Sequence, residues 1–97
     1  MTLLSKKHLA KGKFKVNNER GLHTLPSSEI VKCASSFKSQ VYLIYQRQSA
    51  NAKSVMSILT LTASKGAQIL IEAQGEDAEE AVQSIEQWAN TKLHQLP

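Results

Sequence analysis

The chain has 97 residues, a formal net charge of +4 and a single cysteine. This length suffices for one domain with one core and leaves little room for an enclosed catalytic cavity, so any function should lie on the surface. One cysteine excludes an internal disulfide and a cysteine-based zinc site, and we expect neither a metal nor a cofactor. Cys33 itself is expected to be a buried, inert thiol. Because no apolar stretch approaches a membrane span or a secretory signal, we expect a cytoplasmic protein without membrane insertion.

The charge is distributed unevenly along the chain. Basic residues lie early, between Lys6 and Arg20, whereas acidic residues cluster between Glu76 and Glu80. This asymmetry favours encounters with acidic partners and makes nucleic acid an alternative partner. Phe14 is the only aromatic residue in the basic segment, however, so the stacking surface of a single-strand binder is missing. We therefore expect no nucleic-acid partner. We also expect the protein to be a monomer.

The first half of the chain predicts a strand, a helix and a second strand. Residues 1–11 lack a sustained period and are predicted to be a flexible tail, so the domain spans residues 12–97. The alternating KFKVN that starts at Lys13 predicts a half-buried strand. After the NNERG loop, apolar residues recur at helical spacing as far as Phe37, and Pro26 is compatible with the first turn of that helix. The next segment, VYLIY, is typical of a strand.

The second half predicts two helices and two strands. The polar QRQSAN predicts a turn and a short edge strand, and SVMSILTL predicts a short helix with Ser54 as its N-cap. The alternating AQILIEA predicts another strand. GEDAEEAVQSIEQWANTKL is the clearest helix, with an acidic first turn and one apolar stripe. The stripe consists of Ala78, Ala81, Val82, Ile85, Ala89 and Leu93.

The order of these elements indicates an α+β fold. Each predicted strand has one apolar face, which is typical of an antiparallel sheet covered on one side only. Side chains alternate along a strand, so if Val41 and Leu43 face the core, Tyr42 and Ile44 face outwards. The same rule turns Leu70 outwards, so the uncovered face of the sheet is expected to expose apolar side chains.

One stretch, GLHTLP at residues 21–26, suggests a chemistry. It places His23 between a loop and the start of a helix, where free amides and the helix dipole favour an anion. A phosphoryl group on the imidazole would find N–H donors there. Histidine is a poor helix cap, yet the residues alone leave two interpretations open. His23 is either a phosphoryl acceptor or a residue that merely caps the helix.

A second stretch, NAKSVM at residues 51–56, places Ser54 at the start of the short helix. A phosphate is electrostatically favoured at such a position, which makes Ser54 a candidate for phosphorylation by a kinase. The alternative is an ordinary N-cap serine, and the residues alone favour that simpler interpretation.

Together these motifs resemble the HPr family of the bacterial phosphoenolpyruvate-dependent sugar phosphotransferase system. The resemblance runs from about Lys13 to Leu93 and includes GLH with Pro26, NAKS, KGA and the glutamate-rich start of the last helix. It implies an open-faced β-sandwich with four antiparallel strands and three helices on one face. It also implies a phosphocarrier rather than an enzyme, with Nδ1 of His23 accepting the phosphoryl group from enzyme I and passing it to enzyme IIA proteins. Ser54 matches the serine on which an HPr serine kinase acts in many bacteria.

One position departs from the family motif. The family has an arginine two residues after the acceptor histidine, where it pairs with the phosphoryl group, and this chain has Leu25. Arg20 in the preceding loop is the candidate replacement, together with the backbone amides of Thr24 and Leu25. The alternative is a regulatory binding module of the same fold with weak or no phosphotransfer. For either function we expect one apolar docking patch. Its predicted residues are Leu22, Leu25, Met56 and Leu59.

Overall fold

The structure is a computed structural model that describes residues 8–97. Within this range the chain forms four strands and three α-helices, in the predicted order. The strands are β1 (Leu9–Lys15), β2 (Gln40–Tyr45), β3 (Gln48–Asn51) and β4 (Gln68–Gln74). The helices are α1 (Thr24–Ser35), α2 (Val55–Leu59) and α3 (Ala78–Thr91), and a short 3-10 turn follows at Leu93–Gln95.

The strands form one antiparallel sheet in the order β1-β4-β2-β3, with the helices packed on one face. This confirms the predicted α+β open-faced sandwich, with β3 at the predicted edge. Alternate residues of each strand face the helices and form the core, as the period of two requires. The inward residues of the strands include Phe14, Val41, Leu43, Ile69 and Ile71. The predicted stripe of α3 is buried against them, together with Trp88.

The uncovered face of the sheet exposes the apolar side chains that alternation predicts. Tyr42 is 37% exposed and Leu70 is 47% exposed, while Ile44 is half-buried. Ile44 and Leu70 are direct partners in the β2–β4 register, so their side chains are neighbours on this face.

Strand β1 begins at Leu9, inside the segment predicted to be a tail, and pairs with β4 from Leu9–Gln74 onwards. The prediction failed at residues 9–11 because the inward residues at the start of β1, Ala10 and Gly12, are small and give a weak alternation signal. A Cβ on one of these, Gly12, would lie 2.5 Å from Val82 Cγ1, so this contact with α3 requires glycine. Nearby, the backbone N–H of Lys13 donates to Glu86 of α3 at 2.9 Å. Residues 1–7 of the predicted tail lie outside the described residues.

Two details of α1 also differ from expectation. The helix ends at Ser35, so Phe37 lies beyond it, where it is half-buried against the core. Cys33 is half-buried rather than buried. Burial still raises the pKa of its thiol, which favours the protonated sulfur over the more reactive thiolate.

Asp77 ties the start of α3 to the loop between α1 and β2. It occupies the N-cap position of α3, but its carboxylate does not cap that helix. Instead, Oδ1 accepts hydrogen bonds from the hydroxyl and the backbone N–H of Ser39, and Oδ2 accepts one from the N–H of Lys38 at 2.9 Å. These bonds, above all the one from the Ser39 hydroxyl, lower the pKa of Asp77 from 3.8 to about 2.

Replacing Asp77 with asparagine should weaken the dependence of stability on acid pH. A carboxyl whose pKa is lowered by folding stabilises the protein above its ordinary pKa of 3.8 and loses that contribution as the pH falls through about 2. Denaturant unfolding at a series of acid pH values measures the effect. As the pH falls, the free energy of unfolding of the parent should decrease more than that of Asp77→Asn. Glu76→Gln, which changes the exposed neighbouring carboxylate, is the control and should show the same pH dependence as the parent. Identical pH profiles for the parent and Asp77→Asn would contradict the role of this carboxylate.

Candidate functional site

His23 occupies the N-cap position of α1, with extended backbone at φ −80° and ψ −166°. Its side chain makes no capping hydrogen bond, so the interpretation of His23 as a side-chain cap is wrong. The residue is half-buried, and its two ring nitrogens differ. Nε2 is buried without a hydrogen-bond partner among the described residues, whereas Nδ1 is neither buried nor bonded. Nδ1 is therefore the nitrogen that another molecule can reach.

The first turn of α1 leaves hydrogen-bond donors beside this imidazole. The backbone N–H groups of Thr24 and Leu25 have no partner among residues 8–97, and both residues are exposed. Pro26 has no N–H, and the N–H of Ser27 is the first that donates within the turn, to the carbonyl of His23 at 3.1 Å. Two free amides at the positive end of the helix dipole favour an anion at this position.

A close contact between two loops positions His23. Gly21 has φ of +70°, and a Cβ there would lie 2.4 Å from the carbonyl oxygen of Ala63. That carbonyl accepts the N–H of Leu22 at 3.0 Å, so the loop before α1 and the loop before β4 are joined. Only glycine combines this backbone conformation with this close approach.

Sequence analysis missed two buried polar side chains that hold the same loop. Asn18 is 2% exposed, and its Nδ2 donates to the carbonyl of Gly21 at 2.8 Å. The hydroxyl of Ser27 is fully buried and donates to the carbonyl of Leu22 at 3.2 Å. Asparagine is favoured in loops because its side chain hydrogen-bonds to nearby backbone, and this is the signal that could have identified Asn18. Ser27 offers no comparable signal, because a serine in the first turn of a helix is common.

Arg20 lies in the same loop, with its side chain exposed. Its backbone N–H donates to the carbonyl of Pro97 at 2.7 Å, which fixes the main chain at this point. The guanidinium makes no hydrogen bond or ion pair within residues 8–97, whereas the neighbouring Glu19 pairs with Lys65 at 3.0 Å. The charge of Arg20 is thus not committed to any of the described carboxylates.

Ser54 is the N-cap of α2, as predicted. Its Oγ accepts the N–H of Ser57 at 3.2 Å, and the Oγ of Ser57 accepts the N–H of Asn51 at 2.8 Å. The preceding residue, Lys53, donates from its ammonium group to the carbonyl of Phe37 at 2.8 Å. The start of α2 is therefore held by hydrogen bonds within the segment 51–57 and by one bond to the chain just after α1.

The predicted docking patch is smaller than expected. Met56 is 73% exposed and Leu25 is 44% exposed, and α1 packs against α2, on which Met56 lies. Leu59 is only half-buried. Leu22 is 4% exposed and belongs to the core, so its place in the exposed patch is a wrong prediction. Its backbone N–H donates to the carbonyl of Ala63, and its side chain packs in the core.

Replacing Ser54 with alanine should destabilise the protein by about 1 kcal/mol, because the N–H of Ser57 loses its acceptor. For a domain of this size this corresponds to a fall of about 4–8 °C in Tm, measurable by calorimetry. Ser64→Ala is a matched control, since Ser64 is exposed and its hydroxyl has no partner among the described residues. An unchanged Tm in Ser54→Ala would show that the cap does not stabilise α2.

Other kinds of site receive no support from residues 8–97. No group of three His, Cys, Asp or Glu side chains in this range is placed to hold a metal ion. None of its helices is long and apolar enough to cross a membrane. A surface groove between β1 and α3 is lined by Ala10, Val82 and Glu86, among other residues, and His23 does not line it.

Comparisons with known proteins identify the family of the chain. The family model for the HPr component phosphorylation site of the phosphotransferase system matches residues 10–91. Over 72 residues the chain is 43% identical to phosphocarrier protein HPr of Buchnera aphidicola, covering 74% of this chain and 85% of that protein. It is 35% identical to the HPr of Mycoplasma capricolum, covering 81% and 89% of the two chains. An HPr crystal structure from Thermoanaerobacter tengcongensis superposes with a TM-score of 0.82 at 32% identity, covering 87% and 94%.

Proposed function

The chain belongs to the HPr family of phosphocarrier proteins of the phosphotransferase system, and we propose that it carries a phosphoryl group on Nδ1 of His23. The donor is enzyme I, charged by phosphoenolpyruvate, and the acceptors are enzyme IIA proteins. One observation carries the proposal: Nδ1 is the accessible nitrogen of His23, and it lies at a helix start with two free amides.

Transfer on this geometry is a displacement at phosphorus. The lone pair of Nδ1 attacks the phosphorus atom, and the bond between phosphorus and the donor group of enzyme I breaks. The proton of the imidazole stays on Nε2, which is buried. In the second step a nucleophile of the enzyme IIA protein displaces Nδ1, and the imidazole returns to its first state. The protein is thus changed and restored in each cycle, which describes a carrier rather than a catalyst.

The residues around His23 differ in how much positive charge they offer to the phosphoryl group. The amides of Thr24 and Leu25 and the dipole of α1 supply partial positive charge. The side chain of Leu25 supplies none, although the family motif has an arginine there. Arg20 lies in the adjoining loop with an uncommitted guanidinium, and we assign to it the pairing with the phosphoryl group.

Docking of both partners is assigned to the surface around His23. The exposed side chains of Leu25 and Met56, with the edge of Leu59, form the apolar part of this surface. Ser54 lies at the start of the same helix as Met56 and is the proposed site of regulation by an HPr serine kinase. A phosphate there adds about 1.5 to 2 negative charges beside the apolar surface, which opposes docking. We propose that the protein acts as a monomer in the cytoplasm.

His23→Ala should abolish labelling by phosphoenolpyruvate and enzyme I without unfolding the protein. The measurement is incorporation of labelled phosphate, followed by acid treatment, because phosphohistidine loses its phosphate in acid. The control is His94→Ala, since His94 is exposed in the 3-10 turn and does not lie at the start of a helix of the sheet-covering layer. Acid-labile label on the His23→Ala protein would show that another residue is the acceptor.

Leu25→Arg should raise the rate of phosphoryl exchange with enzyme I. A guanidinium bonded to a phosphoryl group contributes roughly 1.5–3 kcal/mol, which corresponds to about 10- to 150-fold in rate if the bond forms in the transition state. Leu25→Gln is the matched uncharged control and should stay near the parent rate. An unchanged rate in Leu25→Arg would mean that this carrier and its partners no longer use a charge at this position.

Arg20→Ala tests where the missing charge now comes from. If Arg20 has taken over the pairing, its removal should slow the parent and have little effect on the Leu25→Arg protein. A faster rate in Arg20→Ala would contradict the assignment and show that the loop arginine hinders docking. The comparison is a double-mutant cycle, so the interaction between the two positions is measured directly.

A further inference from the structure

Two polar atoms of the site are buried without a hydrogen-bond partner among residues 8–97. They are Oδ1 of Asn18 and Nε2 of His23. Asn18 is 2% exposed, so solvent does not compensate its oxygen. Buried polar atoms are nearly always paired in folded proteins, because an unpaired one costs free energy. The two atoms are complementary, since an amide oxygen only accepts hydrogen bonds and an imidazole nitrogen donates when it carries the proton.

The two residues meet at one backbone carbonyl. The oxygen of Gly21 accepts the Nδ2 of Asn18 at 2.8 Å and the backbone N–H of His23 at 2.9 Å. The amide of Asn18 is therefore fixed beside the main chain of His23, with its other end, Oδ1, buried in the same loop.

Competing donors for Oδ1 of Asn18 are already engaged. An asparagine in a turn usually accepts the N–H two residues further on, which here belongs to Arg20. That N–H donates to the carbonyl of Pro97 at 2.7 Å, and the N–H of Gly21 donates to the backbone carbonyl of Asn18 at 3.3 Å. The buried nitrogen of His23 is an unpartnered group of complementary chemistry on the same loop.

We propose that Asn18 is a positioning residue for phosphotransfer: its Oδ1 accepts a hydrogen bond from Nε2–H of His23 through one water molecule, or directly once a side chain rotates, because the two atoms make no bond to each other in the structure as it stands. This inference rests on the proposed function of His23. The bond holds the proton on Nε2, so the lone pair of Nδ1 stays free to attack phosphorus. It also fixes the rotation of the ring at the start of α1.

The same bond favours the phosphorylated protein. When Nδ1 binds phosphorus and Nε2 keeps its proton, the ring carries a positive charge. The hydrogen bond to Oδ1 then becomes charge-assisted and about twice as strong. Asn18 thus stabilises the charged carrier more than the free one, and its removal should lower the rate of acceptance by about tenfold.

Two variants of Asn18 separate this role from the bond to Gly21. Asn18→Leu and Asn18→Asp both lose the Nδ2 donor, but only the aspartate keeps an acceptor for Nε2–H. In uniformly ¹⁵N-labelled, unphosphorylated protein, the ring nitrogen shifts of His23 at a pH where the imidazole is neutral report which nitrogen holds the proton. Asn18→Leu should raise the ratio of the Nδ1–H to the Nε2–H form by about fivefold to tenfold, whereas Asn18→Asp should keep the Nε2–H form.

Ser27→Ala is the control for a loosened loop, because it removes another buried side-chain bond of the same segment. It should leave the distribution of the ring proton unchanged. A parent-like proton distribution in Asn18→Leu would overturn the proposal, and so would an Asn18→Asp protein that matches Asn18→Leu. If neither the parent nor any variant accepts a phosphoryl group from enzyme I, the proposed function fails, while the ring nitrogen shifts still decide the role of Asn18.

Discussion

The approach of Gly21 to the carbonyl of Ala63 is the constraint on which the rest of the site depends. Because a side chain at position 21 would collide with that oxygen, the loop before α1 lies directly against the loop before β4. This contact sends Leu22 into the core and leaves His23 at the helix start. The imidazole is thereby half-buried, with one nitrogen inside and one outside. A looser loop would expose both nitrogens and lose the distinction between them.

The elements that sequence predicted correctly are those whose signal is local. Alternation identified the inward residues of β2 and β4 and the outward Tyr42 and Leu70, and capping chemistry identified Ser54. The start of β1 was missed because Ala10 and Gly12 are small, so the inward positions lack the bulk that makes a period visible.

Residues whose role depends on distant partners were harder to predict. Leu22 lies in a functional motif, and nothing in the sequence distinguishes an apolar docking residue from a core residue there. Asp77 looks like an N-cap, yet its carboxylate bonds to Ser39, a contact that exists only once α3 and the α1–β2 loop have come together. The burial of Asn18 and its bond to the carbonyl of Gly21 likewise exist only in the folded loop.

The departure at Leu25 changes the electrostatics of the site while preserving its geometry. The helix start, its free amides and the accessible Nδ1 are all present without a cation on the first turn. The relatives are named as phosphocarriers, which favours a carrier over a regulatory module without transfer. A site of this kind depends more on backbone dipoles, and on the proposed contribution of Arg20, for positive charge.

The hydrogen bond from the N–H of Lys13 to Glu86 protects the edge of the sheet that β1 forms. Strand β1 is an edge strand, and an unpaired edge invites strands of other molecules to add to it and so begin aggregation. The carboxylate of Glu86 occupies one of the outward donors of that edge, and the lysines along β1 repel a second copy of the same strand. An incoming strand would have to displace Glu86 from the donor at Lys13. The β1 edge of the sheet is thus protected against the addition of another strand. The surface around His23 remains accessible to other proteins.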